Sequence, residues 1–139
     1  MNSKTEYRGA CLCGGVRITA KTESNSVGAC HCKMCRRWGG GPLLAVECEG
    51  DVNFDGAEHI STFSSSEWAE RGFCQTCGTH LFYLLKQEGH YAIPVGLFDS
   101  DQWNLTGQVF IDQKPSFYSF AQKTKDLTEA EAFAQYSGQ

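Results

Sequence analysis

The sequence has 139 residues, a formal net charge of −4, 41% hydrophobic residues and 20% charged residues. This length predicts a single domain over residues 1–139 that can bury a core of its own. The acidic balance, with a pI near 5.5, argues against nucleic acid or an anionic membrane surface as a partner. The composition leaves the oligomeric state open.

No apolar run reaches the roughly 18 residues that are needed to span a bilayer. Residues 1–7 also lack the apolar segment of a signal peptide. We therefore expect a cytoplasmic protein, in which thiols stay reduced and disulfides are rare.

Alternating and β-branched segments, separated by glycine, aspartate and asparagine, indicate a chain rich in strands. The predicted strands are 16–20, 43–48, 59–63, 67–73, 79–85, 90–94 and 107–111. Two helices are predicted, at 33–38 and 129–136, and a capping box of Thr128 and Glu131 opens the second. The pattern predicts a mainly β fold of antiparallel sheets with little helix.

The cysteines carry the most specific signal in the chain. There are eight, of which Cys48 is isolated and the other seven fall into three tight clusters. The clusters are Cys11-Leu12-Cys13-Gly14, Cys30-His31-Cys32-Lys33-Met34-Cys35 and Cys74-Gln75-Thr76-Cys77-Gly78. Such clusters in a reducing compartment have the spacing of metal ligands and not of disulfide partners.

The first and last clusters both end in Cys-Gly, which is typical of a zinc knuckle. Glycine can adopt the positive φ that the sharp turn after the second thiolate requires. Together, Cys11, Cys13, Cys74 and Cys77 predict a closed structural zinc site with four thiolate ligands. Structural zinc typically contributes about 10–16 kcal/mol of apparent binding energy, so we expect the fold to depend on it.

The middle cluster supplies three thiolates, from Cys30, Cys32 and Cys35. Three protein ligands with an open fourth position are typical of a zinc site that accepts a substrate. A fourth ligand that is itself a thiolate would suit this site, so the cluster points towards thiol chemistry.

The alternative for the middle cluster is a second structural site, completed by His31, His80 or Cys48. His31 lies between two ligands, so its side chain is expected to point away from their metal. We interpret His80 as a packed or surface residue, and Cys48 as a small buried hydrophobe on an apolar strand.

Five stretches share their order and spacing with one known family. They are Gly-Ala-Cys-Leu-Cys-Gly-Gly-Val at 9–16, Cys-His-Cys-Lys-Met-Cys-Arg at 30–36, Arg-Gly-Phe-Cys-Gln-Thr-Cys-Gly-Thr at 71–79, Phe-Ile-Asp at 110–112 and Lys-Pro-Ser-Phe-Tyr at 114–118. Over roughly residues 8–120, the chain resembles the glutathione-dependent formaldehyde-activating enzyme family, which is also represented in centromere protein V.

The resemblance implies a β-tent fold, in which antiparallel sheets are pinned by the Cys₄ zinc. It implies that Cys30, Cys32 and Cys35 bind a second, functional zinc. The implied activity is that of a carbon–sulfur lyase or synthase, which joins the glutathione thiol to formaldehyde as S-(hydroxymethyl)glutathione. No catalytic residue is assigned beyond the metal ligands.

Arg36 and Arg37 follow the three-cysteine cluster directly and are candidates to bind the carboxylates of glutathione. The alternative is that both are solvated charges, which favour the C-terminus of a short helix. For the whole chain, the alternative to an enzyme is a non-catalytic zinc-binding interaction or carrier module of the same fold.

Overall fold

A computed structural model of the protein describes residues 4–137 and is mainly β. In chain order, its strands are β1 (Thr5–Ala10), β2 (Arg17–Thr22), β3 (Ser26–Cys30), β4 (Leu43–Cys48), β5 (Val52–Asp55), β6 (Ile60–Phe63), β7 (Ala69–Cys74), β8 (His80–Leu85), β9 (His90–Pro94), β10 (Asn104–Val109) and β11 (Lys125–Leu127). The α-helices are α1 (Lys33–Gly39) and α2 (Glu129–Ser137). Within the described range, no helix is long and apolar enough to cross a membrane.

The chain forms two compact units. The first contains the residues up to Asn25 together with Val46–Gln102, and the second contains Ser26–Ala45 and the residues from Trp103 onward. Each unit is thus built from two separate stretches of sequence, and each contains one group of neighbouring cysteines. The expectation of a single domain over 1–139 stays a prediction.

The first unit is built from antiparallel strands. β2 pairs with β1 on one side and with β5 on the other, and β6, β7, β8 and β9 pair in sequence order. Burial alternates along β2, since Ile18 and Ala20 are buried while Arg17 is exposed. One face of the strand therefore packs into the core. Leu81 in β8 and Ile93 in β9 are fully buried in the same way.

Two glycines allow close approaches in this unit. A Cβ on Gly9 would lie 1.8 Å from the carbonyl oxygen of Leu97, so the end of β1 can pass there only without a side chain. A Cβ on Gly72 would lie 2.2 Å from the ring of Phe82, which packs over β7. Phe82 also contacts the ring of Tyr91, with the centroids 5.4 Å apart.

The second unit contains two parallel strand pairs. β10 lies between β3 and β11 and runs parallel to each, whereas β3 and β4 are antiparallel. The expected antiparallel pairing therefore holds for β3 and β4 but not for β10. The physical reason is that β3 and β10 come from the two separate stretches of the unit, so no hairpin turn fixes their direction.

The side chain of Gln113 links the beginnings of the two helices. Its Oε1 accepts from the backbone N–H of Lys33 at 3.0 Å, and its Nε2 donates to Glu129 at 2.7 Å. The predicted capping box is confirmed, since Thr128 Oγ1 accepts from the Glu131 N–H at 3.2 Å and the Glu131 carboxylate accepts from the Thr128 N–H at 2.8 Å.

All seven predicted strands and both predicted helices are present, with ends shifted by a few residues. Four strands were not predicted: β1, β3, β5 and β11. β3 contains Gly28 and Ala29, which have low β propensity, and β11 has only three residues. The last predicted strand ends earlier than expected, because Phe110 adopts a left-handed φ of 57° and Ile111 begins a 3₁₀ turn.

Candidate metal centres and an adjoining cavity

Four cysteines of the first unit converge on one point. Cys11 and Cys13 follow β1, Cys74 ends β7, and Cys77 lies in the turn before β8. Their sulfur atoms all lie within 4.8 Å of one another. The Sγ atoms of Cys11 and Cys13 are 3.6 Å apart, and those of Cys13 and Cys74 are 3.7 Å apart.

These separations fit a zinc ion. Tetrahedral zinc with Zn–S bonds of about 2.3 Å requires sulfur atoms about 3.8 Å apart. Four thiols at such distances also form the donor set that structural zinc prefers. The residues present are therefore able to hold zinc, as the sequence predicts for this group.

Two glycine turns build the knuckles. Gly14 (φ 79°) donates its N–H to the Cys11 carbonyl at 3.0 Å, and Gly78 (φ 80°) donates to the Cys74 carbonyl at 2.7 Å. The positive φ expected after each Cys pair is thus present. The N–H of Val16 points at Cys11 Sγ at 3.3 Å, which stabilises negative charge on that sulfur.

Thr79 joins the two knuckles through its hydroxyl group, a role that sequence reasoning missed. Thr79 Oγ1 accepts from the backbone N–H of Leu12 at 3.1 Å and lies 3.1 Å from Cys77 Sγ. A thiolate can only accept hydrogen bonds, so the Thr79 hydroxyl donates to the sulfur when Cys77 is ionised. Hydrogen bonds from the side chain and backbone of Thr79 lower the pKa of Cys77 to about 5.

The three cysteines of the middle cluster meet where β3 passes into α1. Cys30 ends β3, Cys32 is the N-cap residue of α1 and Cys35 lies in its first turns. Their sulfurs lie within 4.8 Å of one another, and the N–H of Cys35 points at Cys32 Sγ at 3.3 Å. The thiols of Cys32 and Cys35 raise the pKa of Cys30.

Among residues 4–137, this cluster consists of three thiols, with no His, Asp or Glu ligand atom grouped with them. His80 has its Nε2 3.0 Å from the Phe82 carbonyl oxygen, and burial lowers its pKa to about 4. Cys48 is only 1% exposed, as predicted, and burial raises its pKa to about 11. Three thiols without a fourth protein ligand are the donor set of an open zinc site.

His31 points away from the cysteines that flank it, as predicted, but it is fully buried. Its Nε2 lies 2.7 Å from Gln108 Oε1, and its Nδ1 lies 2.8 Å from the Tyr118 hydroxyl. Gln108 Nε2 donates to Thr124 Oγ1 at 2.9 Å, so it is the oxygen of the Gln108 amide that faces His31. An amide oxygen only accepts, and therefore His31 Nε2 carries the ring hydrogen and Nδ1 accepts from Tyr118.

A cavity of about 260 Å³ opens beside α1. It is lined by Lys33, Arg36, Arg37, Gly40, Gly41, Phe117 and Tyr118. The structure thus brings both predicted arginines to one cavity. Arg36 is also tied to the cysteine cluster, because its Nε donates to the His31 carbonyl at 2.9 Å. Sequence reasoning missed the contribution of Phe117 and Tyr118 to this lining, because both residues are far from α1 in the sequence.

These features define a small β protein with two cysteine clusters, each of which could hold a metal ion. Comparison with known proteins gives the family. The profile of the family described as "Glutathione-dependent formaldehyde-activating enzyme" matches residues 6–113. The chain belongs to the glutathione-dependent formaldehyde-activating enzyme family.

The chain is also similar to individual proteins. An uncharacterized lyase of Schizosaccharomyces pombe is 37% identical over 126 residues, covering 88% of this chain and 91% of the relative. A Halomonas elongata protein named "Putative glutathione-dependent formaldehyde-activating enzyme" is 31% identical over 83 residues, covering 53% of each chain. A solved structure of a Rhodobacter sphaeroides protein is 25% identical with a TM-score of 0.58, covering 70% of this chain and 90% of that one.

Proposed function

We propose that the protein is a zinc-dependent carbon–sulfur lyase that joins the glutathione thiol to formaldehyde, giving S-(hydroxymethyl)glutathione. One observation carries the proposal: an open cluster of three thiols and a cationic cavity share helix α1 in a chain of this family. The cluster supplies a site for the reacting sulfur, and the cavity supplies positive charge for the carboxylates of the same substrate.

The reaction forms one C–S bond. The sulfur attacks the formaldehyde carbon, the π electrons of the C=O bond move to oxygen, and the thiol proton ends on that oxygen. A free thiol has a pKa near 8.5, so only a few per cent is ionised at pH 7. Zinc held by Cys30, Cys32 and Cys35 would offer an open position at which a bound thiol loses its proton more readily.

The other residues have supporting roles in this proposal. The four-cysteine group of Cys11, Cys13, Cys74 and Cys77 would hold a structural zinc that closes the two knuckles. Arg36 and Arg37 would bind the glutathione carboxylates and so orient the substrate before reaction. The hydrogen bond from Arg36 to the His31 carbonyl keeps that guanidinium group next to the cluster.

We place the reaction in the cytoplasm, because the proposed chemistry requires reduced thiols. All eight cysteines are free in the structure. The reduced thiols that such a compartment maintains would also supply the substrate.

A cobalt-substituted protein tests the proposal. Glutathione should change the visible spectrum of cobalt at the second site, since a new sulfur–metal bond alters the charge-transfer bands. S-methylglutathione, which lacks the thiol, should leave the spectrum unchanged. In parallel, NMR should detect faster formation of the S-(hydroxymethyl) adduct with the zinc protein than in buffer at the same pH.

The matched control for both measurements is Cys32→Ser, which removes one thiolate of the cluster but keeps a good N-cap residue for α1. This variant should lose both the spectral response and the rate enhancement. If cobalt spectra are identical with and without glutathione, and the adduct forms no faster than in buffer, the proposed activity is wrong. The non-catalytic zinc-binding module would then be the better description.

A further inference from the structure

The cavity beside α1 combines positive charge with an aromatic wall. Lys33, Arg36 and Arg37 contribute the charge, and Phe117 and Tyr118 contribute the wall. No lining residue carries a carboxylate. Phe117 is 83% exposed, so a large apolar surface stands open beside the cations. A ligand that fits this cavity needs carboxylates for the cations and a less polar segment for the aromatic rings.

The loop that carries the two aromatic residues is held in place by one lysine. Lys114 Nζ donates to the carbonyl oxygens of Pro115 and Tyr118 and, at 3.1 Å, to Ser119 Oγ. The same ammonium group lies 5.1 Å from the centre of the Tyr118 ring. Four contacts from one side chain therefore fix the position of Tyr118 before any ligand arrives.

The hydroxyl group of Tyr118 has a single hydrogen, which is already used in a hydrogen bond. Its hydrogen is donated to His31 Nδ1, because the other ring nitrogen donates to the oxygen of Gln108. The chain continues from Gln108 to Thr124 Oγ1 and from there to the carboxylate of Asp126. With its hydrogen used in this way, the Tyr118 oxygen can offer a ligand only an acceptor.

We propose that the cavity recognises the peptide part of the thiol substrate, with Arg37 binding a carboxylate and the Tyr118 oxygen accepting a peptide N–H. The choice of ligand rests on the proposed function. Of the two arginines that line the cavity, Arg37 is the more exposed, whereas Arg36 already donates to the His31 carbonyl oxygen. Three neighbouring cations favour a neutral N–H over an ammonium group as the donor, because like charges repel.

Two probes without a thiol separate this inference from the proposed reaction. S-methylglutathione carries two carboxylates and peptide N–H groups, whereas glutarate carries two carboxylates and no N–H. Binding to the zinc-loaded protein is followed by NMR, from the shifts of the Gly40 and Gly41 amides that line the cavity. Neither probe has a thiol that could react, so its binding can be measured even if the protein does not catalyse the proposed reaction.

Three variants give the expected pattern. Tyr118→Phe should lower the affinity for S-methylglutathione about tenfold and change the affinity for glutarate by no more than about twofold. Arg37→Gln should lower the affinity for both probes about tenfold or more, because it removes the carboxylate contact that the two probes share. Lys123→Gln removes one exposed positive charge of the same unit outside the cavity lining and should change neither affinity by more than about twofold.

A second measurement on the unmodified protein keeps the inference testable if Tyr118→Phe does not fold. Bound S-methylglutathione should show a nuclear Overhauser effect between a ligand N–H and the Tyr118 ring protons. The inference is overturned if this effect is absent from the saturated complex, or if Tyr118→Phe weakens both probes equally. Equal effects of Arg37→Gln and Lys123→Gln would also overturn it.

Discussion

The hydroxyl of Thr79 lies 3.1 Å from the sulfur of Cys77 and also accepts the backbone N–H of Leu12. One side chain therefore touches both knuckles of the four-cysteine group. Partners of this kind orient metal ligands and stabilise their charge, and their loss typically weakens metal binding about 10- to 100-fold.

We predict that Thr79→Val weakens zinc binding at the four-cysteine group by about tenfold, because valine keeps the shape but not the hydrogen bond to Cys77. Competition with a chromophoric chelator measures this affinity. Thr62→Val, at an exposed position of β6, is the matched control and should bind zinc like the unmodified protein. An unchanged affinity in Thr79→Val would contradict the role of this hydroxyl.

Cys74→Ser should lose the structural zinc and either fail to accumulate as folded protein or melt at a much lower temperature. The Cys74 side chain is fully buried, and metal binding at such sites typically supplies about 10 kcal/mol or more. Metal analysis together with thermal unfolding tests this. A variant with normal zinc content and melting temperature would remove Cys74 from the ligand set.

The control for that experiment is another fully buried cysteine, Cys48, which we expect to serve only packing. Cys48→Ala should keep both metals and cost about 1 kcal/mol of unfolding free energy, in the range of small core truncations. Loss of a zinc ion from this variant would mean that Cys48 is a ligand.

The three-cysteine cluster should release its metal without unfolding the protein. Three ligands bind zinc less tightly than four, so mild chelation should remove one zinc while circular dichroism stays unchanged. Cys32→Ser should show the same loss of one zinc with little change in melting temperature, since serine also caps α1. Simultaneous loss of both metals and of folded structure at one chelator concentration would argue against two independent sites.

The pair of His90 and Glu47 should give a small pH-dependent contribution to stability. Glu47 accepts from His90 Nε2 at 2.8 Å and raises the pKa of His90, with Glu49 and Glu88 adding to the effect. A raised folded-state pKa stabilises the protein fully below the unfolded value near 6.5, and this gain is lost as pH rises through the folded value.

Glu47→Gln should therefore lower the melting temperature at pH 5.5 and have less effect at pH 8.5. The free-energy difference should be about 0.3–1 kcal/mol, because Glu47 is half exposed and solvent screens the pair. Thermal unfolding of both proteins across this pH range provides the comparison. A difference that grows with pH would have the wrong sign for this interaction.

The cysteine spacing was sufficient to predict both thiol groups, because ligands two or three residues apart can be recognised locally. The surroundings of His31 could not be predicted in the same way. Its partners Gln108 and Tyr118 lie 77 and 87 residues away in the sequence, and no local sequence pattern predicts such contacts. The parallel pairing of β10 was missed for the same reason, since direction is visible only where a hairpin turn joins two strands.

The split composition of the two units has a consequence for biosynthesis. All four cysteines of the first group lie within residues 11–77, so their site can close while the ribosome is still translating the rest of the chain. The residues from Trp103 onward, which the second unit requires, are translated later than all four of these cysteines. Cys30, Cys32 and Cys35 are thus synthesised before β10 and Tyr118. Until the second unit is complete, the nascent chain presents these three thiols to metals and oxidants.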